Sequence, residues 1–413
     1  MRVTFRDYQQ KIIDKGSEII RTKGFLYLAM EVRTGKTLTS LGIAEKGGYE
    51  NVLFLTKKKA ISSIVSDNEM MCPTSFSLFV INYESMHKLP NIKWDLIIVD
   101  EAHGMGAFPK PNKRARDVKN LITKTGCDIC LLSGTPTPES YSQMYHQVYG
   151  IPKNPFRQYS SFYKFCHEYV DVKERKINSM YIRDYTRGKD AIIQKMKPYT
   201  ISYTQKEAGF KVDTREHVLE VEMSELTYKL TKKLQKDLVV EGNEETILAD
   251  TPVKLMMKLH QMFSGTVKFE SGNSTILDLS KAQFIHDNFG DAKIGIFYKF
   301  KQELKALQKV YGDDLCTELD EFNNTSKTIA LQIVSGREGI SLRKAEALVY
   351  YNIDFSATSY WQSRDRMTTK ERLESDVYWV FARGGIEKQI YKAVTKKKDY
   401  TLRHFKKDLL TLN

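Results

Sequence analysis

Short, continuous runs of apolar residues recur along the first half of the chain. They cover residues 25–28, 52–55, 79–81, 96–99 and 130–132. Runs of this length are typical of strands that are buried on both faces of a parallel sheet. Residues 2–13 and 38–44 instead repeat apolar residues every three or four positions, which predicts helices. The two patterns together indicate an α/β fold.

The second half continues in the same way. Strand-like runs cover residues 217–223, 293–300, 329–334 and 347–351, and residues 377–390 predict a strand followed by a helix. Leucines also recur at helical spacing. These leucines are Leu226, Leu230, Leu234 and Leu238. A stripe of this kind predicts a helix that faces the core rather than a cofactor site.

A candidate phosphate-binding loop follows the first apolar run. Residues 29–37 are A-M-E-V-R-T-G-K-T, so a predicted strand leads through a tight turn into a predicted helix. Backbone N–H groups and the helix dipole favour phosphate at such a helix start. Lys36 would then reach β- and γ-phosphate oxygens, and the Thr37 hydroxyl would bind Mg²⁺. Met30 stands where the usual motif has glycine, so an ordinary helix N-terminus is the alternative on this motif alone.

Two adjacent carboxylates end the strand at residues 96–99. The segment 94–103 reads W-D-L-I-I-V-D-E-A-H. Asp100 would hold Mg²⁺, directly or through water, and Glu101 would orient and deprotonate an attacking water. A purely structural role for the pair is disfavoured because desolvating two carboxylates is costly without a cation. His103 would couple this site to the following loop, or make a local hydrogen bond.

Two further polar segments accompany these motifs. Gln9 carries an amide that can donate and accept at once, as recognition of an adenine edge requires, although a surface glutamine is the simpler interpretation. Residues 133–136, S-G-T-P, follow the run at 130–132. Small hydroxylic residues on a glycine turn suit a relay between a nucleotide site and a nucleic-acid site, and they equally suit a plain turn.

Basic and polar residues also follow the strands at 52–55 and 79–81. Lys57 and Lys58 lie at the predicted carboxyl edge of the sheet, where open α/β sheets bind ligands. They could hold a phosphodiester backbone, or they could be a solvated charge run. Asn82 and Tyr83 occupy the equivalent place after the next strand.

Composition adds a partner class. The 413 residues predict two or three domains, and the net charge of +13 suggests a polyanionic partner. Nucleic acid is the first expectation and an anionic membrane the second, with a generally basic surface as the alternative. Five cysteines, an odd number, do not indicate a disulfide framework, so we expect a reducing compartment. We expect no signal peptide and no membrane-spanning segment.

The order of these motifs resembles the first motor lobe of superfamily 2 helicases. R-x-Y-Q, R-T-G-K-T, D-E-A-H and S-G-T-P follow one another, and A-x-E-V-x-T-G-K-T is most similar to Swi/Snf-type ATPases, which also lack the loop glycine. The resemblance implies two tandem RecA-like lobes, each a parallel β-sheet flanked by helices, that bind ATP and Mg²⁺. The expected lobes are residues 1–210, with a helical protrusion and linker at the end, and 211–413, with a helical insert and basic tail.

The resemblance extends through the second lobe. K-I-G-I-F-Y-K-F at 293–300 is similar to the motif that opens its sheet, and S-G-R-E-G-I-S-L at 335–342 to a segment that contacts both DNA and nucleotide. Residues 361–372 match a helix that carries an arginine finger, with Gln362 and Arg366 in register. The second arginine of that motif is Thr369 here, which puts the turnover number in doubt. Nearby cations that could substitute are Lys370 and Arg372.

Pattern and resemblance together assign roles to named residues. Catalysis is assigned to Lys36, Asp100, Glu101 and Arg366. Nucleotide binding is assigned to Gln9, Arg33, Thr34, Gly35, Lys36, Thr37, Gly339 and Gln362. Nucleic-acid contact is assigned to Lys57, Lys58, Asn82, Tyr83, Lys299, Ser335 and Arg337. Mg²⁺ is assigned to Thr37 and Asp100.

The expected function is that of a DNA-stimulated ATPase that translocates on double-stranded or branched DNA. A strand-separating DNA or RNA helicase is one alternative, for which the sequence shows no pin or wedge. A weakly active or inactive ATPase that clamps nucleic acid is another. We expect a monomer of phage or bacterial type in the bacterial or infected-host cytoplasm, associated with the nucleoid, and protein partners are not predicted.

Overall fold

The computed structural model describes residues 4–177, 180–209, 213–242, 244–290, 292–333, 342–356, 359–360 and 374–396. The chain divides into two compact units, Met1–Phe210 and Lys211–Asn413. Within the described ranges, no helix is both long enough and apolar enough to span a bilayer.

The first unit is built on a six-stranded parallel sheet. Its strands are β1 (Phe25–Met30), β2 (Asn51–Thr56), β3 (Ser77–Asn82), β4 (Leu96–Val99), β5 (Asp128–Leu132) and β8 (Thr200–Tyr203), in the order β3-β2-β4-β5-β1-β8. An antiparallel ribbon pairs β6 (Lys173–Ile177) with β7 (Met180–Asp184). The helices are α1 (Asp7–Lys23), α2 (Lys36–Gly47), α3 (Ile61–Met71), α4 (Lys113–Thr125), α5 (Met144–Val148), α6 (Phe162–Tyr169) and α7 (Ala191–Met196).

The strands of this sheet are apolar throughout because both faces are covered. In β1, Leu26 and Leu28 belong to one hydrophobic cluster with helix residues such as Ile13, while Phe25 and Tyr27 belong to the cluster on the other face. Burial of each large apolar side chain contributes about 1.5–3 kcal/mol. A continuous apolar run is therefore the expected pattern for a central parallel strand.

The second unit has a six-stranded parallel sheet of its own. Its strands are β9 (Asp213–Val221), β14 (Gly295–Tyr298), β15 (Leu315–Cys316), β16 (Thr328–Gln332), β17 (Ala347–Tyr350) and β18 (Glu374–Ala382), in the order β15-β16-β14-β17-β18-β9. Two ribbons pair β10 (Val239–Glu241) with β11 (Thr246–Leu248) and β12 (Thr266–Lys268) with β13 (Ser274–Ile276). The helices are α8 (Glu225–Asp237), α9 (Pro252–Met262), α10 (Ser280–Phe289), α11 (Lys301–Tyr311), α12 (Leu319–Asn324) and α13 (Glu387–Val394).

These two sheets confirm the predicted α/β class with two tandem lobes, each a parallel sheet flanked by helices. The prediction that the leucine stripe on α8 faces the core is only partly confirmed. Leu234 is fully buried, but Leu226 is 53% exposed and Leu238, which follows the helix, is 42% exposed. A four-residue spacing advances each side chain by about 40° around the helix axis, so the first and last of the four lie about 120° apart and need not share one buried face.

Candidate active site

Three loops of the first unit converge at the carboxyl edge of its sheet. They follow β1, β4 and β5, and β5 pairs with both of the other strands. Because all three strands run in the same direction, their carboxyl ends meet at one edge, where open α/β sheets bind ligands. The topology therefore brings together the R-T-G-K-T, D-E-A-H and S-G-T-P segments.

The candidate phosphate-binding loop is a strained turn between β1 and α2. Gly35, the residue before the helix, has φ 79°, and Arg33 has φ 63°. The Thr34 hydroxyl donates to the Glu31 carbonyl at 2.7 Å, and the Lys36 ammonium donates to the same oxygen at 3.3 Å. Left-handed backbone at a non-glycine residue is costly and concentrates at functional sites. The turn holds Lys36 and Thr37 at the start of α2, where anions bind.

Helix α1 supports this loop through Gln9. The Gln9 amide nitrogen donates to the Gly35 carbonyl and to the Thr39 hydroxyl, each at 3.4 Å, and its oxygen accepts from the Arg6 amide at 3.1 Å. A Cβ added at Gly35 would lie 2.5 Å from that nitrogen. Gln9 is thus buried against the loop, and its contact with an adenine stays a prediction.

The acidic pair lies where β4 ends. One Asp100 carboxylate oxygen accepts from the Thr56 hydroxyl at 2.8 Å, and the other accepts from the Glu101 amide at 2.9 Å. Glu101 has φ 50°, a second left-handed residue at this edge. The Tyr83 hydroxyl donates to the Asp100 carbonyl. The Asp100 carboxylate is therefore fixed by the Thr56 side chain and the Glu101 amide, and Tyr83 holds its main-chain carbonyl.

The pKa of Asp100 is affected by both Glu101 and Lys36. Burial and the negative charge of Glu101 raise the pKa of Asp100 to about 6, while the positive charge of Lys36 and the hydrogen bonds to Asp100 act in the opposite direction. A carboxyl with a raised pKa is more costly to ionise than a solvated one. Ionised Asp100 is therefore destabilised by burial and by Glu101, and an added positive charge beside it would favour its ionised form.

We expect Asp100→Asn to stabilise the ligand-free protein. Because the pKa of Asp100 is raised by folding, ionisation of this carboxyl lowers the free energy of unfolding. This destabilisation is absent below about pH 4, where the carboxyl is protonated in both states, and reaches its full size above about pH 6. The melting temperature of the variant in EDTA should exceed that of the parent by several degrees at pH 8 and by less at pH 5. Equal or lower stability of the variant at pH 8 would contradict this electrostatic description.

The third loop contacts the acidic pair through His103. Its Nδ1 lies 3.0 Å from the Ser133 Oγ and 3.3 Å from a Glu101 carboxylate oxygen. A Cβ added at Gly134 would lie 3.4 Å from the Val32 amide nitrogen and 3.6 Å from the Lys36 ammonium. The predicted contact between His103 and the next loop is confirmed, and the relay function of this loop stays a prediction.

The donor set fits a magnesium nucleotide. A threonine hydroxyl and a carboxylate are hard oxygen ligands, and Mg²⁺ usually takes one or two of these together with phosphates and waters. Among the described residues, no cluster of three His, Cys, Asp or Glu side chains could hold a metal by itself. Thr37 and Asp100 supply donors of these two kinds at the same edge of the sheet.

The predicted nucleic-acid residues of this unit occupy different environments. Lys58 is exposed at the start of a short 3₁₀ helix after β2, and Lys57 is half-buried. The Asn82 amide donates to the Glu84 carboxylate at 2.9 Å. Tyr83 is only 6% exposed and lies under the Arg114 guanidinium, 4.1 Å from its ring centre. Its ring and hydroxyl are thus engaged in positioning the Asp100 loop.

In the second unit, Lys299 follows β14 and is engaged within the protein. Its ammonium lies 2.7 Å from an Asp354 carboxylate oxygen and 4.1 Å from the Phe355 ring centre. Burial by itself would raise the pKa of Asp354, but the charge and hydrogen bond of Lys299 hold it below its ordinary value. The other predicted residues of this unit lie outside the described residues. They are Ser335, Arg337, Gly339, Gln362, Arg366 and Thr369.

Sequence reasoning missed three residues that organise the site. Thr56, the last residue of β2, binds Asp100. Glu31 accepts from Lys36 through its carbonyl, and its carboxylate accepts from the Gln205 amide at 2.7 Å. The Gln205 side chain in turn donates to the Val32 carbonyl at 3.0 Å. Thr56 could have been predicted because it is a polar residue at the end of an apolar strand. The sequence around Gln205 does not indicate that this residue contacts the loop.

Two solved structures share features with the chain at low identity. The Sulfolobus solfataricus SWI2/SNF2 ATPase core in complex with dsDNA is 14% identical with a TM-score of 0.45, and the match covers 100% of this chain and 94% of that one. The Sulfolobus solfataricus SWI2/SNF2 ATPase core domain is 15% identical with a TM-score of 0.43, covering 96% and 89%.

Sequence comparison gives a family and a relative. The profile of the SNF2-related domain matches residues 31–267, more than half of the chain. Protein CHROMATIN REMODELING 4 of Arabidopsis thaliana is 22% identical over 365 residues. That match covers 79% of this chain and 16% of the relative, so the chain spans about a sixth of the relative's length. The matched profile region contains all three converging loops.

Proposed function

We propose that this chain, which belongs to the SNF2-related domain family, hydrolyses ATP to translocate on double-stranded or branched DNA. The observation that carries the proposal is the convergence of the Lys36, Asp100 and Ser133 loops at one sheet edge. Membership of this family supports the ATPase activity. Stimulation by DNA and translocation along it are what we add to that activity.

The proposed chemistry assigns one task to each group. Lys36 and the amides at the start of α2 hold the β- and γ-phosphates, and Lys36 offsets their charge. Mg²⁺, when bound at Thr37 and Asp100, neutralises charge on the phosphate oxygens. Glu101 orients a water toward the γ-phosphorus and accepts its proton. Phosphoryl transfer asks little covalent chemistry of a protein, so positioning and electrostatics supply most of the rate.

Residues of the second unit are proposed to complete the reaction. Arg366 stabilises charge on the transferring phosphoryl group, and Gln362 and Gly339 contribute to nucleotide binding. An arginine finger contributes orders of magnitude in rate in other phosphoryl-transfer enzymes. These assignments rest on the resemblance of residues 335–342 and 361–372.

The proposed partner is DNA, bound through its phosphates. The net charge of +13 favours association with a polyanion, and exposed cations such as Lys58 lie near the carboxyl edge of the first sheet. Ser335 and Arg337 are the proposed contacts of the second unit. We further propose that the chain acts as a monomer in a bacterial or infected-host cytoplasm.

Phosphate release tests this function. We expect saturating duplex DNA to stimulate hydrolysis at least about tenfold over the DNA-free rate, because a translocating ATPase couples hydrolysis to movement on its DNA. A panel of single-stranded, duplex, forked and junction DNA then shows which structure is preferred. Displacement of a triplex-forming strand without separation of a duplex would indicate translocation. Hydrolysis that is unaffected by any DNA would contradict the proposal.

A further inference from the structure

A basic groove lies at the amino-terminal edge of the first unit's sheet. It is a cavity of about 550 Å³ whose lining includes Lys23, Lys153, Arg157, Lys195 and Tyr199, and we call it the edge groove. Lys23 ends α1 just before β1, and Tyr199 immediately precedes β8. The candidate active site lies at the opposite ends of the same strands, about 20 Å away for a six-residue strand.

The edge groove carries an excess of positive charge. Within the part of the chain that the structure describes, none of its four cations forms an ion pair, and no carboxylate lines the groove. Two carboxylates lie nearby, since Glu168 interacts electrostatically with Lys195 and Asp128 lies near Lys153 beside Gly24. Four cations against two carboxylates leave a net positive charge, so an anionic ligand is favoured there.

The loop that carries two of these cations is internally fixed. Asn154 is buried, its amide nitrogen donates to the Ile151 carbonyl at 2.7 Å, and its oxygen accepts from the Phe156 amide at 2.8 Å. Lys153 and Arg157 flank this anchor. Their backbone positions are thus set before a ligand binds, which lowers the entropic cost of binding.

Aromatic rings continue the edge groove on one side. A second concavity of about 350 Å³ shares Asn154 and Arg157 with it and is lined in part by Tyr149 and Tyr159. The Lys119 ammonium lies 4.0 Å from the Tyr149 ring centre, and the Lys23 ammonium lies 5.2 Å from that of Tyr199. Cations and half-buried tyrosines therefore lie on one continuous surface. A lysine ammonium covers one face of Tyr149 and of Tyr199, so a base that stacks on that face would take the place of the ammonium.

We propose that the edge groove binds single-stranded nucleic acid. Cations that follow a phosphate backbone, interleaved with rings on which unpaired bases stack, are the features that hold single strands without sequence preference. A small anion would instead require buried, convergent donors, whereas Lys153, Arg157 and Lys195 are exposed. A duplex presents its bases stacked inside, so it cannot use the tyrosines.

The site is independent of the nucleotide chemistry proposed above. It lies on residues that the candidate active site does not use, and its occupancy can be measured without ATP. Failure of the groove would leave the ATPase proposal intact, and the reverse also holds. In a translocating enzyme, such a groove would hold an unpaired strand of a fork or junction.

The test is binding of a fluorescent 20-nucleotide oligomer by anisotropy, without nucleotide, for the full chain. We expect Lys153→Glu with Arg157→Glu to weaken single-stranded DNA binding at least about tenfold. The dependence of log K on log salt should fall by roughly 1 to 1.5, since two phosphate contacts are lost. Lys195→Glu, on a different element, should weaken binding in the same direction.

The matched control is Lys232→Glu with Lys233→Glu, two exposed lysines of α8 that lower the net charge by the same amount. Binding by the groove variant within twofold of binding by this control would overturn the proposal. So would an equal loss for duplex and single strands, which would indicate a general charge effect. Competition by stoichiometric pyrophosphate would also overturn it, as a small-anion site. An RNA oligomer of the same sequence shows whether the sugar matters, and binding of either strand supports the groove.

Discussion

Replacement of Lys36 by alanine is expected to lower kcat for ATP hydrolysis about 100- to 1,000-fold. Its ammonium lies on the Glu31 carbonyl at 3.3 Å, beside Gly134 and within electrostatic reach of Asp100. Removal of a charge that is aimed at the transferring phosphate costs several kcal/mol in a preorganised site, which is two to three orders of magnitude in rate. Phosphate release with saturating duplex DNA is the measurement.

DNA binding separates loss of chemistry from loss of fold. At low salt the Lys36→Ala variant should bind duplex DNA within about threefold of the parent, since we assign Lys36 to the nucleotide. Lys232→Ala, an exposed lysine of α8, is the matched control and should hydrolyse ATP at the parent rate. If Lys36→Ala also retained the parent rate, the nucleotide site would be assigned to the wrong loop.

The second large effect is expected for Glu101→Gln. Glutamine keeps the shape of the side chain but accepts a proton poorly, so kcat should fall about 100- to 10,000-fold. The affinity for ATP should change by less than about threefold because the phosphates are held by other residues. Single-turnover hydrolysis and equilibrium binding of a fluorescent ATP analogue measure the two quantities separately.

Glu84→Gln is the control for this substitution. Glu84 follows β3, which β2 separates from β4 in the sheet, its side chain is 69% exposed, and it accepts from Asn82. Its replacement should leave kcat within about twofold of the parent. A Glu101→Gln enzyme with kcat within threefold of the parent would mean that another group accepts the proton.

The strands that carry the first site could be predicted from the sequence, because central parallel strands are apolar on both faces. The run at 96–99 is β4 in full, and the run at 25–28 forms the first four residues of β1. The loops that follow them contain glycine, hydroxyl and carboxylate groups in an order typical of phosphate sites. The edge at which these groups meet then follows from parallel topology.

The contacts that organise the site could not be predicted in the same way. Thr56 reaches Asp100 because β2 and β4 pair, and the pairing register is a tertiary property. Tyr83 follows a strand end, where exposed ligand-binding residues are common, yet its ring is buried under Arg114. Burial depends on what the following helices cover, and a short polar segment does not encode that locally.

The antiparallel ribbons were missed for a related reason. The ribbon of β6 and β7 has the sequence K-E-R-K-I paired with M-Y-I-R-D, which has neither a long apolar run nor strict alternation. Its two strands pair in antiparallel fashion over five residues each. Composition indicated a basic, partly helical insert there, and the structure adds this ribbon between α6 and α7.

The central claim is that one site at the carboxyl edge of the first sheet binds magnesium ATP through Lys36 and hydrolyses it through Glu101. The most direct test is the melting temperature of the parent, Lys36→Ala and Glu101→Gln as a function of ATP concentration in excess Mg²⁺. Ligand binding to the native state raises the melting temperature in proportion to ln(1 + [L]/Kd). We expect ATP to raise the melting temperature of the parent and of Glu101→Gln and to change that of Lys36→Ala little. An equal rise for all three proteins would contradict it.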